Sequence, residues 1–253
     1  MKKSFLNSKT PFVTEMIQVK TAELAKQKIN KAILNGATAI GLQMSVLEEQ
    51  FRTEETLSEI FNTAKEKPIY FTNYRDNLNE GKTDEELLEG LLFGLKCGAT
   101  LLDVMGDTFD KSLEEYTTNP IAIEKQKKFI DKVHGLGGEV LMSVHVHQFR
   151  DAEWVLNVAL GLQERGADIV KIVTGAQTQE QEIENLRICT ILKENLNVPF
   201  LFLSGGEYSY LHRTIGPAIG VFSWLCFVEH DETTYAGPPL LADVLSIKKG
   251  LKL

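Results

Sequence analysis

Three times in this chain an amphipathic segment stops on a Gly-Ala pair that leads straight into an apolar run: Asn35-Gly36-Ala37-Thr38-Ala39-Ile40, Cys97-Gly98-Ala99-Thr100-Leu101-Leu102 and Arg165-Gly166-Ala167-Asp168-Ile169-Val170. Glycine there supplies the left-handed residue that ends a helix, and alanine lets the following strand pack close against it. The junction therefore fixes a unit, helix then buried strand, and the rest of the chain repeats it. Strands are expected at Phe12 to Val19, Thr38 to Met44, Ile69 to Thr72, Ala99 to Val104, Glu139 to His145, Ala167 to Val173, Val198 to Leu203 and Ala218 to Phe227. Helical segments lie between them, opened by cap residues such as Thr21, and Thr83 or Asp84, and closed by a last helix from Pro239 to Leu251. Eight βα units in 253 residues predict one α/β domain over residues 1–253, a (β/α)8 TIM barrel. The alternative is an open doubly wound sheet, but no Gly-x-Gly-x-x-Gly follows any strand.

Composition narrows the partners. A net charge of −8 with no basic run argues against a nucleic-acid surface. No apolar run reaches the length of a membrane span. The amino terminus begins Met1-Lys2-Lys3, but Lys9, Thr10 and Pro11 interrupt any signal-peptide core, so a cytoplasmic location is expected. Cys97, Cys189 and Cys226 are far apart and read as reduced, buried thiols.

In a barrel of this kind the chemistry sits at the carboxyl ends of the strands. The sixth strand ends at Lys171, and an ammonium there is costly to bury. It either snorkels or caps a carboxylate, or it serves as a nucleophile. The neighbouring fifth strand ends in His145-Val146-His147. A lone histidine is more often structural, yet an amine and an imidazole on adjacent strand ends form the minimum of a Schiff-base site. The amine, with an ordinary pKa of about 10.4, must lose a proton to attack a carbonyl. His145 is expected to move the proton next to the resulting iminium, with Arg213 over the barrel mouth. Ser204-Gly205-Gly206-Glu207 after the seventh strand reads equally as an anion cradle or a plain turn. His145 and His147 with Asp103 would be an incomplete metal set, so no metal and no cofactor is assigned.

These residues resemble the type I 3-dehydroquinate dehydratase family across nearly the whole chain. Met142-Ser143-Val144-His145 matches that family's Ser-x-His strand end, and Gly166-Ala167-Asp168-Ile169-Val170-Lys171 its Schiff-base strand. Phe71-Thr72-Asn73-Tyr74-Arg75 is similar to its Phe-Thr-x-Arg segment with one residue inserted, and Ser204-x-Gly206 followed by Arg213 keeps the spacing of its carboxylate-binding element. The resemblance implies Lys171 and His145 as catalytic residues and Arg213, Arg75, Gln43 and Ser204 as substrate-binding ones. It further implies a small carbonyl and carboxylate substrate, dehydration of 3-dehydroquinate to 3-dehydroshikimate on the shikimate or quinate pathway, and a homodimer.

The sequence also departs from the family. Gly41-Leu42-Gln43-Met44-Ser45 stands in place of Glu-x-Arg-x-Asp, Val146 in place of an aspartate, and Tyr235-Ala236-Gly237-Pro238-Pro239 in place of Ser-Ala-Pro-Gly-Gln. Met105 replaces the glutamate that orients the family's histidine. Each lost charged hydrogen bond is worth about 1.5–3 kcal/mol, so the expected substrate is 3-dehydroquinate in the simplest form of the reading and a related carbonyl compound with fewer hydroxyls in its altered form. A class I aldolase and a non-catalytic binding or regulatory barrel are the alternatives.

Overall fold

Local capping sets where the helices begin. Side chains of Thr21, Thr53, Thr83, Asn119, Asp151 and Thr178 accept from the first-turn amides of Leu24, Thr56, Glu86, Ile121, Trp154 and Gln181. Each such cap contributes about 1 kcal/mol. Thr83 and Glu86 close a reciprocal capping box. The three Gly-Ala junctions behave as their chemistry requires: Gly36, Gly98 and Gly166 have φ of 99°, 117° and 101°.

The structure is a computed structural model that describes residues 3–232, 234 and 237–253. Its strands are β1 (Phe12–Ile17), β2 (Ala39–Gln43), β3 (Ile69–Thr72), β4 (Leu101–Met105), β5 (Glu139–His145), β6 (Ile169–Gly175), β7 (Phe200–Gly205) and β8 (Ser223–Cys226). The helices between and after them are α1 (Ala22–Leu34), α2 (Glu54–Thr63), α3 (Asp84–Cys97), α4 (Pro120–Gly135), α5 (Ala152–Glu164), α6 (Gln179–Asn195), α7 (Tyr210–Ile215) and α8 (Leu241–Gly250). All strand pairs are parallel, and the sheet runs β7-β6-β5-β4-β3-β2-β1-β8. At the seam the Phe222 amide donates to the Phe200 carbonyl at 2.9 Å. The fold is the expected (β/α)8 barrel.

Strands three and five keep their expected bounds and the other six shift, two of these with consequences. The eighth strand starts at Ser223 instead of Ala218, because Gly216–Ile219 forms a 3-10 turn with Pro217 in it and Gly220 has φ of 131°. The sixth extends to Gly175, where Thr174 and Gly175 still pair with Ser204 and Gly205. Lys171 therefore lies within β6 and not at its end, deeper in the barrel than its sequence position suggests.

Candidate active site

Side chains two apart on a strand share a face, so Lys171 projects on the same side of β6 as Val173, which lines the barrel mouth. The lysine is only 5% exposed. Its ammonium donates to Tyr74 Oη at 2.6 Å, to Tyr70 Oη at 3.0 Å and to Asp103 Oδ2 at 3.2 Å. Both tyrosine hydroxyls donate in turn to that same Asp103 oxygen. A buried ammonium thus meets a buried carboxylate through two phenols, which offsets the desolvation of both charges. Burial alone would raise the Asp103 carboxyl, but the Lys171 charge, then His145, with the nearby Ser143 hydroxyl and the hydrogen bond from Tyr70, hold it below its ordinary value. Burial, followed by the Asp103 charge, pushes the Tyr74 phenol well above its ordinary value, so it stays protonated. The apolar strand around Lys171 marks it in the sequence; its partners Tyr70, on β3, Tyr74, in the loop after β3, and Asp103, on β4, carry no such mark.

His145 stands at the end of β5, its ring packed edge-on against Tyr74 with centroids 5.3 Å apart. The sequence reading leaves its imidazole without an orienting carboxylate, and the structure corrects this. Glu115, from the long loop between β4 and α4, takes Oε2 to within 2.7 Å of His145 Nδ1 and accepts the His145 amide at 3.0 Å. Burial would raise the Glu115 carboxyl, but the hydrogen bond from His145 and its charge keep it below its ordinary value. An ionised Glu115 accepts, so Nδ1 carries a proton and the ring is held in one orientation.

The loop is built to hold that carboxylate. Arg165, 3% exposed, donates to the carbonyls of Gly106 at 2.8 Å and Thr117 at 2.6 Å, the two ends of the loop. Gly106 has no room for a Cβ, which would sit 2.8 Å from the Glu115 carbonyl oxygen. Arg75 clamps the loop from the other side, through Asp84 at 2.7 Å and Asp107 at 2.6 Å, and Asp107 accepts the Ser112 amide. No sequence motif marks Glu115, since its contact with His145 depends on this loop's path.

The other anticipated residues divide. Arg213, on α7, lines the cavity and is fixed by donating Nε to the Ser204 carbonyl at 2.6 Å. Ser204 itself is fully buried, and its hydroxyl accepts from Asn185 outside the cavity. Gln43 lines the cavity, held by Gln18, Ser45 and Asp76. Arg75 lines it too, with its guanidinium occupied by the loop clamp. His147 is exposed at the rim. Tyr235 and Ala236 lie outside the described residues. Gly41 is explained by packing: a Cβ there would lie 2.3 Å from Met16 Sδ and 3.3 Å from the Tyr70 ring. The open cavity measures about 1230 Å³. Among the described residues no three His, Cys, Asp or Glu side chains converge as a metal-binding group, and no helix is long and apolar enough to cross a membrane.

This arrangement can hold a carbonyl carbon against an amine, with one proton-accepting imidazole nearby and one arginine for a carboxylate. The family model described as Type I 3-dehydroquinase matches residues 15–247. No curated protein sequence matches the chain. Among solved structures, the 3-dehydroquinate dehydratase of Geobacillus kaustophilus superposes with a TM-score of 0.82 at 15% identity, over 99% of this chain and 95% of that one. The type I enzyme of Clostridium difficile, solved with covalently modified comenic acid, gives 0.81 at 16% identity, over 97% and 94%. That of Enterococcus faecalis gives 0.74 at 16%, over 99% and 98%. At such identities these structures share the fold.

Proposed function

The chain belongs to the type I 3-dehydroquinase family, and on that premise we propose that it is a hydro-lyase working through an imine on Lys171. Lys171 Nζ attacks the substrate carbonyl and water leaves, giving an iminium. Nε2 of His145 then takes the proton from the adjacent carbon. The electron pair left behind expels the β-hydroxyl, which receives that proton and departs as water, and hydrolysis frees the unsaturated product. The observation that carries this reading is the pairing of a buried amine with a carboxylate-held imidazole at one cavity.

Arg213 is the group we assign to a substrate carboxylate. Gln43 and Arg75 contribute polar wall beside it, and Ser204 acts through the carbonyl that fixes Arg213. The substrate is a carbonyl compound less hydroxylated than 3-dehydroquinate, because the second strand offers Gly41, Gln43 and Ser45 where the family has charges, and Met16 and Met105 face the cavity. Borohydride reduction in the presence of 3-dehydroquinate, comenic acid and simpler cyclic keto acids, read by intact mass, tests this. Adducts that map to Lys171 and vanish in Lys171→Ala are expected, strongest for the simpler acids; a protein that traps none of them refutes it. Retro-aldol activity is the second reading, favoured by the same remodelled wall, and sugar phosphates in the panel report on it. The implied homodimer is tested by light scattering.

A further inference from the structure

We propose that Tyr74 is a further catalytic residue, a proton relay that passes the ammonium's proton to Asp103 during imine formation and returns it to the departing water. The inference rests on the Schiff-base reading above, and its test separates the two.

The need for such a relay follows from the balance of the step. An ammonium and a ketone give an iminium and water with no net gain or loss of protons. One proton must nevertheless leave nitrogen before attack and reach oxygen before water departs. In a site where the amine is 5% exposed, exchange with bulk water is a poor route. The hydrogen-bond chain offers an internal one. Lys171 Nζ donates to Tyr74 Oη at 2.6 Å, and Tyr74 Oη donates to Asp103 Oδ2.

Transfer along the chain moves one proton from Nζ to Oη as the phenolic proton passes to Oδ2. Lys171 is then a neutral amine, Tyr74 is unchanged and Asp103 is a carboxylic acid. Neutralising the pair costs less in this buried setting than it would in water, because no isolated charge remains. The amine attacks, the N–C bond forms and the carbonyl π pair moves to oxygen. Through Tyr74 one nitrogen proton crosses to that oxygen, giving a neutral carbinolamine. The proton held by Asp103 then returns through Tyr74 to the hydroxyl, the C–O bond breaks, and the nitrogen lone pair completes the iminium. Three hydrogens began on nitrogen; one stays and two leave with water.

Two observations single out Tyr74 over Tyr70. Both hydroxyls bond Lys171 and Asp103, but Tyr70 is 2% exposed and does not line the cavity, whereas Tyr74 is half-buried and does. Only Tyr74 can touch the carbonyl oxygen of a molecule bound over Lys171. Its ring also packs against His145, so the groups for imine formation and for the later proton abstraction share one wall. Its phenol stays protonated across the neutral range, as a relay that donates in both directions requires.

The test is the rate of borohydride-trappable imine formation with a keto acid that modifies wild-type Lys171, measured for wild type, Tyr74→Phe and Tyr70→Phe. Loss of a positioned acid–base group costs about 10²–10⁴-fold, so Tyr74→Phe is expected to slow imine formation by at least about 100-fold. Tyr70→Phe should lose less than about tenfold, the mark of a supporting hydrogen bond. The pH profile gives a readout that mere packing would not move. Without Tyr74 the proton must leave through the contacts that remain, Tyr70 at 3.0 Å and Asp103 at 3.2 Å, so the pH profile of Tyr74→Phe departs from that of wild type. Equal rates and parallel pH profiles for wild type and Tyr74→Phe overturn the relay and leave the Schiff-base reading standing. A wild-type protein that traps no carbonyl compound overturns both.

Discussion

Glu15 offers the sharpest quantitative test of the barrel's electrostatics. It lies on β1 facing the helix layer, 1% exposed, and neither carboxylate oxygen has a well-formed hydrogen bond among the described residues. Burial pushes its pKa from 4.5 up to about 8, against partial relief from the Val228 amide and the Lys28 charge. A carboxyl raised on folding stabilises the native state fully below its unfolded pKa and loses that contribution as pH rises through the folded one. At pH 7 the unfolded chain ionises this group and the folded one does not, a cost of about 1.4 kcal/mol per pH unit over the interval from 4.5 to 7, or roughly 3 kcal/mol. Glu15→Gln keeps the shape and removes the titration. Urea unfolding followed by tryptophan fluorescence, with Trp224 1% exposed as a reporter, gives the stability of both proteins at each pH. Whatever constant offset the amide introduces, the difference between mutant and wild type should be flat below pH 4.5. It should then climb in favour of the mutant, reaching about 4 kcal/mol above that baseline by pH 8. A difference that stays flat from pH 5 to 8, or that runs the other way, refutes the assignment of a buried, neutral Glu15.

Two further substitutions probe the site. Glu115→Ala removes the carboxylate on His145 Nδ1; turnover should fall about 10–100-fold while trapping of an imine on Lys171 persists, and unchanged turnover would assign the loop a purely structural role. Gly41→Glu, which restores an acidic residue at the second strand, drives its Cβ into Met16. It should cost about 1–3 kcal/mol as overpacking, and adding Met16→Ala should recover most of that in a thermal melt; a failure of the pair to recover would point to the buried charge instead.

Much of the molecule could be read without coordinates. The Gly-Ala junctions, the threonine caps and the alternation of apolar runs are local features, and local chemistry decides helix starts, helix stops and strand positions. Eight such units leave the barrel as the architecture that buries every strand. That Lys171, His145 and Arg213 line one cavity follows the related rule that side chains at the carboxyl ends of barrel strands converge on one mouth.

What the chain's order could not give is which groups touch. Lys171 meets Tyr70, Tyr74 and Asp103 because three strands curve their inward faces onto one axis, which depends on register around the whole ring. Arg75 turns to Asp84 and Asp107 and Ser204 turns to Asn185, choices made by neighbours distant in sequence. Glu115 supplies the orienting carboxylate that Met105 lacks because Arg165 and Arg75 pin a loop whose residues carry no periodic signal. Sequence determined the barrel and the strand that carries Lys171, since periodicity and capping act within a few residues. Tertiary structure alone decided which proton-bearing groups surround that amine, since those contacts are set by closure of the sheet and the path of one loop.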